Sequence, residues 1–318
     1  MSAAPPRVAV AVPVYNGAEY LEEALGALQA QTEPRWEAVV VDNASTDDTV
    51  AIARQAAAAD SRIRLVQNDR NEGSNANFNR SAALALATGA SAVTWAAHDD
   101  VRHPTYLARC LDALDAAPRA AGAHSAVRLI DDDGAPYAFD AGRGGFVVGD
   151  GDVWRWTPDD ATALGDPDPG RRLGRFLDAK IGQWMIYGVF RSEVLAAVRP
   201  FAMPGVEDAL CAELLLHGPL AYVDEPLFDQ RLHARSARHL SRRDYIAYET
   251  GHRPTRALLP SAGRAVDFAR AVARAPLSGA GRVRAWGALA RFALGGRRLK
   301  NLVVPGPDNY LGLRRSAR

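Results

Sequence analysis

Three observations predict an α/β fold built on a doubly wound, mostly parallel sheet and extended at the C-terminus by basic helices. Short β-branched runs alternate with helical periodicity through the first hundred residues, polar and acidic residues follow those runs directly, and the charge divides sharply near residue 250. Alternating strand and helix patterns are the mark of parallel βαβ units.

Arg7–Val14 (R-V-A-V-A-V-P-V) and Trp36–Val41 (W-E-A-V-V-V) read as strands buried on both faces, because they lack the alternation of a half-wet sheet. Between them, Ala18–Ala30 carries Leu21, Ala24, Leu25 and Leu28 at helical spacing. The pattern then repeats: a helix from Asp47, a strand near Ile63–Val66, a helix over Ser74–Ala87, a strand over Ala92–Ala97 and a helix over Pro104–Leu114. Residues 131–175, rich in Gly, Pro and Asp, are expected to form an irregular insertion facing the substrate. Helices are expected at Arg172–Lys180, Ser192–Val198 and Glu207–Leu216, followed by a last short core strand, Leu220–Val223. Ser241–Tyr248, Ala262–Ala273 and Arg282–Leu294 read as basic helices, so the expected division is a domain over 1–240 and an extension over 241–318.

Composition excludes several classes. With 318 residues, 48% of them hydrophobic, the chain can bury a large core, and a disordered or collagen-like reading fails. Cys110 and Cys211 are far apart in apolar, helix-like sequence, giving neither a disulfide framework nor a zinc pattern. No run approaches the roughly 18 apolar residues of a membrane span, and the expected location is cytoplasmic. The net charge of +1 conceals fourteen Arg/Lys against Asp267 and Asp308 from residue 250 onward, a local +12, while the first 249 residues carry −11. A solvated helical face explains such a tail most simply. Its functional rival is peripheral contact with an anionic membrane surface or a lipid-phosphate acceptor. Nucleic acid is not expected, since no binding motif accompanies the charge.

Sheets of this kind bind ligands beyond the carboxyl ends of their strands. Asp99 and Asp100 directly follow an apolar strand, and adjacent like charges there call for a cation or hydrogen-bond donors. Mg²⁺ or Mn²⁺ bridging Asp100 to a diphosphate is one reading, and a solvated helix-capping turn is the other. Asp42, after V-V-V, can accept a hydrogen bond from a nucleobase or ribose, or can merely shape its turn. Asn71, Gly73 and Asn77 bring amides and a flexible glycine to the same edge. Glu207 and Asp208 open an amphipathic helix, where acids suit the helix dipole and where a general base could also sit. His233, among arginines, is a structural histidine or a ligand for the metal or a phosphate.

Taken in order, V-P-V-Y-N-G (Val12–Gly17), V-D-N-A-S-T-D-D-T (Val41–Thr49), N-E-G (Asn71–Gly73), N-F-N (Asn77–Asn79), H-D-D-V-x-H-P (His98–Pro104), E-D (Glu207, Asp208) and R-x-H-x-x-S (Arg231–Ser236) resemble the family 2 glycosyltransferases over roughly residues 7–240. The resemblance implies a GT-A type, Rossmann-like three-layer sandwich and an inverting transfer of a sugar from a nucleoside diphosphate donor, a UDP-sugar first, to a hydroxyl acceptor. The acceptor would be a glycan, a lipid-linked species or a small molecule, in bacterial polysaccharide, glycolipid or natural-product glycosylation. By position, Asp42 would contact the base, Tyr15 and the Pro13–Asn16 backbone would line the nucleoside pocket, and Asp99 would face ribose or sugar. Asp100 would hold the metal and Asp208 would be the catalytic base, with Glu207 beside it on acceptor or sugar hydroxyls. His98 stands where many relatives have a further Asp, and Phe78 where relatives often have Arg.

Other enzymes fit less well. A nucleotidyltransferase would need a glycine-rich basic loop, and Val8–Gly17 offers one glycine and no charge. Gly142-Arg143-Gly144 is followed by Val147 where a dinucleotide fingerprint needs glycine, and neither lysine lies in a P-loop. A non-catalytic sugar-nucleotide or glycan binder of the same fold is the remaining alternative.

Overall fold

The computed structural model describes residues 5–149, 151–179, 183–201, 207–233, 242–251 and 260–294. The first half follows the expected alternation: β1 (Val8–Val14), α1 (Leu21–Gln29), β2 (Trp36–Asp42), α2 (Thr49–Ala59), β3 (Ile63–Gln67), α3 (Ser74–Leu86), β4 (Ala92–Trp95), β5 (Val101–Arg102) and α4 (Tyr106–Ala116). Next come β6 (Gly122–Ile130), β7 (Phe139–Asp140), β8 (Gly145–Val148), β9 (Asp152–Arg155), α5 (Pro158–Ala163), α6 (Pro169–Ala179), a 3-10 turn at Gln183–Tyr187, β10 (Val189–Arg191) and α7 (Ser192–Ala197). The chain continues with α8 (Glu207–His217), β11 (Leu220–Arg231), α9 (Arg242–Thr250), α10 (Pro260–Arg274) and α11 (Gly279–Leu294).

Eight strands form one sheet in the order β3-β2-β1-β4-β10-β6-β11-β5. The pairs among β3, β2, β1 and β4 and the β6–β11 pair are parallel, while β10 and β5 run antiparallel to their neighbours. Every residue of β1 is buried, as expected of a strand covered by helices on both faces. α1 lays Leu21, Ala24, Leu25 and Leu28 against the sheet. Val14 pairs with Asp42 and Asp42 with Gln67, so β1, β2 and β3 end level and hand their following loops to a single edge.

Three features depart from the expected layout. β10 is only three residues long and is wedged between β4 and β6; a Cβ on Gly122 would lie 2.5 Å from the Phe190 ring, so the glycine makes room for that fully buried aromatic. The last core strand does not stop at Val223 but runs to Arg231, because irregularities around Pro226, which has no N–H to give the ladder, interrupt its pattern. Much of the insertion expected to be irregular is ordered: β7, β8 and β9 form a small antiparallel sheet on which Phe139, Phe146, Trp154 and Trp156 pack ring against ring. Glycines at 142, 144, 145, 149 and 151 hide its alternation in the sequence.

The helical extension packs on the core. Arg274 of α10 pairs with buried Glu213 of α8 at 2.8 Å, and Arg284 of α11 pairs with Asp168 before α6. Gly170 lets the α11 backbone approach closely, since a Cβ there would lie 2.7 Å from Arg284. Cys110 and Cys211 are both buried and free, and burial pushes the Cys110 thiol up to about 12. No described helix is long and apolar enough to cross a membrane.

Candidate functional site

The level ends of β1 and β2 build a cup. Asp42 is fully buried, and both its carboxylate oxygens accept from Ser45 N–H at 3.3 and 3.2 Å. Asn16 sits at φ 49°, a left-handed conformation that asparagine tolerates. Its N–H donates to Ser45 Oγ (2.9 Å) and its Oδ1 accepts from Thr46 N–H (2.8 Å). Asp47 ties the same two loops, accepting from Ala18 N–H and Thr49 N–H at 3.1 Å each. Burial raises the Asp47 pKa, but the Thr49 hydrogen bonds outweigh it and hold the carboxyl below its usual range. Pro13 is buried at the end of β1, whereas Tyr15 and Asn16 are exposed at the rim.

Below the cup the expected residues Asn71 and Asn77 join Asn43 and Asn68 in one amide network. Asn43 donates to Asn71 Oδ1 (2.9 Å) and accepts from Asn68 Nδ2 (2.9 Å) and Glu72 N–H (3.1 Å). Asn77 donates to the carbonyls of Val41 (2.9 Å) and Val14 (3.3 Å) and accepts from Asn68 (3.2 Å). Asn71 and Asn77 therefore brace the strand ends from beneath, each amide directed to protein partners. Gly73, at φ 87°, is where the end of α9 docks: a Cβ would meet backbone atoms of residues 249–251 at 2.4–2.6 Å.

The acid pair follows β4. Asp99 Oδ2 lies 2.9 Å from His233 Nε2, and Asp100 Oδ1 accepts the backbone N–H of Arg231 at 2.9 Å. Burial pushes the Asp99 pKa up, but His98 and the His233 hydrogen bond hold it below the ordinary range. Asp100 goes the other way: burial, then the neighbouring Asp99 charge, raise it well above a normal carboxylate. Arg231 is buried and clamps the whole corner, donating to the carbonyls of Asp99 (3.0 Å), Asp131 (3.1 Å) and Asp132 (2.9 Å) and to Glu23 Oε2 (2.5 Å). Its guanidinium lies 4.7 Å from the Tyr20 ring centroid, and Tyr20 also packs on His233. The cup meets this corner at Gly17, where a Cβ would lie 2.5 Å from the His98 ring.

Asp208 lies half-buried in the first turn of α8, and the Glu207 side chain falls outside the described residues. Phe201, six residues before Glu207, is held by Asn79 of α3, whose Nδ2 donates to its carbonyl (2.6 Å) and whose Oδ1 accepts its N–H (2.8 Å). Phe201 packs edge-on against Phe78 and Trp95. Phe78 thus serves an aromatic anchor. The structure joins Asp99, Asp100 and His233 in one cluster and Asp42, Asn16 and Tyr15 in another beside it.

Among the described residues no three His, Cys, Asp or Glu side chains form a ready metal cage. Two adjacent carboxylates, one buried and one half-buried, nevertheless suit a hard divalent ion that keeps one or two protein ligands and takes the rest from phosphate oxygens. The pair fits such an ion as a partial shell. His233 already directs Nε2 to Asp99.

Residues 9–143 match the family model for glycosyl transferase family 2. Among curated relatives, the putative teichuronic acid biosynthesis glycosyltransferase TuaG of Bacillus subtilis is 38% identical over 84 residues, 26% of this chain and 32% of that protein. Glycosyltransferase AglE of Haloferax volcanii is 41% identical over 81 residues, 25% of this chain and 27% of that protein. The chain thus matches about a third or less of these relatives' length. Among solved structures, S. aureus TarS 1–349 in complex with UDP-GlcNAc superposes with a TM-score of 0.61 at 17% identity, covering 91% of this chain and 73% of that one. The mannosyltransferase PcManGT of Pyrobaculum calidifontis, in complex with GDP-Man and Mn²⁺, gives 0.56 at 18% identity, covering 94% and 74%. These likenesses show the fold, and the expected GT-A type architecture holds.

Proposed function

We propose that this chain, whose residues 9–143 match the glycosyl transferase family 2 model, transfers a sugar from a nucleoside diphosphate donor to a hydroxyl acceptor with inversion at the anomeric carbon. The observation that carries this reading is the pairing of half-buried Asp99 with buried Asp100, fixed by His233 and Arg231 beside the Asp42 cup. The complexes of the fold neighbours with UDP-GlcNAc and with GDP-Man and Mn²⁺ support a nucleotide-sugar donor.

In this reading the nucleoside lies across the level ends of β1 and β2, between exposed Tyr15 and the Asp42 carboxylate. Asp42 accepts from a base N–H, and the turn amides that Asn16 and Asp47 hold stiffen the cup before the ligand arrives, so little ordering remains to be done on binding. Asp100, with Asp99, would hold Mg²⁺ or Mn²⁺, which when bound supplies positive charge to the departing diphosphate. Asp208 takes the proton of the acceptor hydroxyl as that oxygen attacks opposite the leaving group, and Glu207 orients acceptor or sugar hydroxyls. Positioning and charge stabilisation contribute most of the rate, since neither reactant needs a covalent link to the protein. Acceptors of bacterial surface polysaccharide synthesis suit the names of the curated relatives.

The test is binding of UDP-, GDP- and dTDP-sugars by calorimetry, with Mn²⁺ or Mg²⁺ and again with chelator. Metal-dependent binding of one donor, followed by release of its nucleoside diphosphate on adding acceptor, is expected. Binding without any turnover across a broad acceptor panel would favour a non-catalytic binder, and silence from every donor would sink the reading.

A further inference from the structure

We propose that the outward face of α11 is a docking surface for an anionic lipid bilayer. Val283 is 72% exposed, Trp286 41% and Leu294 72%, and Ala290 lies exposed between them. Their spacing of i, i+3, i+7 and i+11 gathers them within an arc of roughly 80° and a length of about 16 Å along the helix. The buried residues Gly281, Ala285, Ala288 and Leu289, which seat α11 on the core, occupy the opposite side. The helix is therefore apolar on two faces, and only one of them has a described partner.

Its edges are cationic. Arg291 borders the outward stripe on one side, next to Arg284, whose charge Asp168 meets, and Arg282 borders it on the other; α11 itself contains no acidic residue. Arg282 donates to the carbonyls of Ala273 and Ala275, which fixes the side chain without neutralising its charge, while Arg291 is exposed. Across residues 279–318 there are nine Arg/Lys and one acid, Asp308. Valine, tryptophan and leucine between rows of arginine match the two layers of a membrane interface: acyl chains take the stripe, anionic headgroups take the guanidinium groups, and the indole suits the boundary.

Other occupants suit the face less well. A second copy would set Arg282 and Arg291 against their own counterparts, with no acidic residue on the facing helix to pair them. The following segment, 295–318, carries six Arg/Lys against Asp308 and meets the same repulsion. Docking of this kind is independent of the reaction performed at the strand ends.

The experiment is sedimentation of the full chain with phosphatidylcholine vesicles, with and without phosphatidylglycerol, comparing the natural sequence with Val283→Glu/Trp286→Glu and with Arg291→Glu. Binding should require phosphatidylglycerol, weaken in high salt, and fall by roughly tenfold or more in the double variant, with inorganic phosphate failing to compete. Thermal midpoints should stay unchanged, because these side chains face outward. Absence of vesicle binding, or equal binding by the double variant, would overturn the proposal. So would a dimer in light scattering that the double variant splits while vesicles have no effect, since that assigns the face to a second copy.

Discussion

Asn79 and Phe201 form a closed two-bond pair, the amide side chain of one matched donor to acceptor with the backbone of the other at 2.6 and 2.8 Å. It anchors the chain on its approach to Glu207 and Asp208. Asn79→Ala should cost about 1–3 kcal/mol in urea melts, the usual penalty for stranding a buried backbone pair. If Asp208 is the base, kcat should drop while the donor KM stays near its natural value. Loss of donor affinity instead would place Asn79 in the donor site.

Asp208→Asn and Asp100→Ala should separate the two halves of the proposed chemistry. The first should lower transfer by roughly 10²–10⁴-fold with donor binding retained, and the second should remove the metal-dependent part of donor binding. Undiminished transfer by Asp208→Asn would refute its assignment as base.

Arg231→Lys keeps a charge but not the planar fork that reaches three carbonyls and Glu23. A loss of about 2–3 kcal/mol of stability is expected, together with weaker metal-dependent donor binding, because the Asp99–Asp100 corner loosens. A variant as stable as the natural protein would show that the clamp is dispensable.

His124, buried on β6 between Trp184 and Tyr222, has its pKa lowered to about 4 by burial from an ordinary 6.5. Between those values the unfolded chain binds a proton that the folded chain refuses, so stability is lost as pH falls from 6.5 towards 4 and levels off below. The full loss is on the order of 3 kcal/mol. Melts from pH 7 to 4 should therefore show a steeper decline than in His124→Gln, and parallel curves would contradict the assignment.

The strands and helices from Val8 to Trp95 were legible because the helices carry their own periodicity and the central strands β1, β2 and β4 are short, almost continuously apolar runs. The positions of Asp42, Asp99 and Asp100 were legible for the same reason, each lying where a readable strand ends. Asn43 and Asn68 were not, since an asparagine in a turn looks alike whether it faces solvent or bonds to three loops. Arg231 read as one of several basic residues near His233; its role depends on carbonyls of residues 99, 131 and 132, which come together only when β4, β6 and β11 assemble. β10 was invisible because three residues hold no pattern, and its place is set by Gly122 beneath Phe190.

Between Val223 and Phe228, β11 advances five residues while its partner β6 advances two, from Ser125 to Val127. The surplus of three is odd, and parity decides which side of a sheet each later side chain takes. Deleting a residue of Asp224–Leu227 would force the irregularity to tighten or the pairing of Phe228–Arg231 with β6 to shift, and a one-residue shift would turn Arg231 away from Asp99 and Glu23 while leaving the composition of the strand almost untouched. This stretch should tolerate substitutions at its exposed positions far better than a change of length.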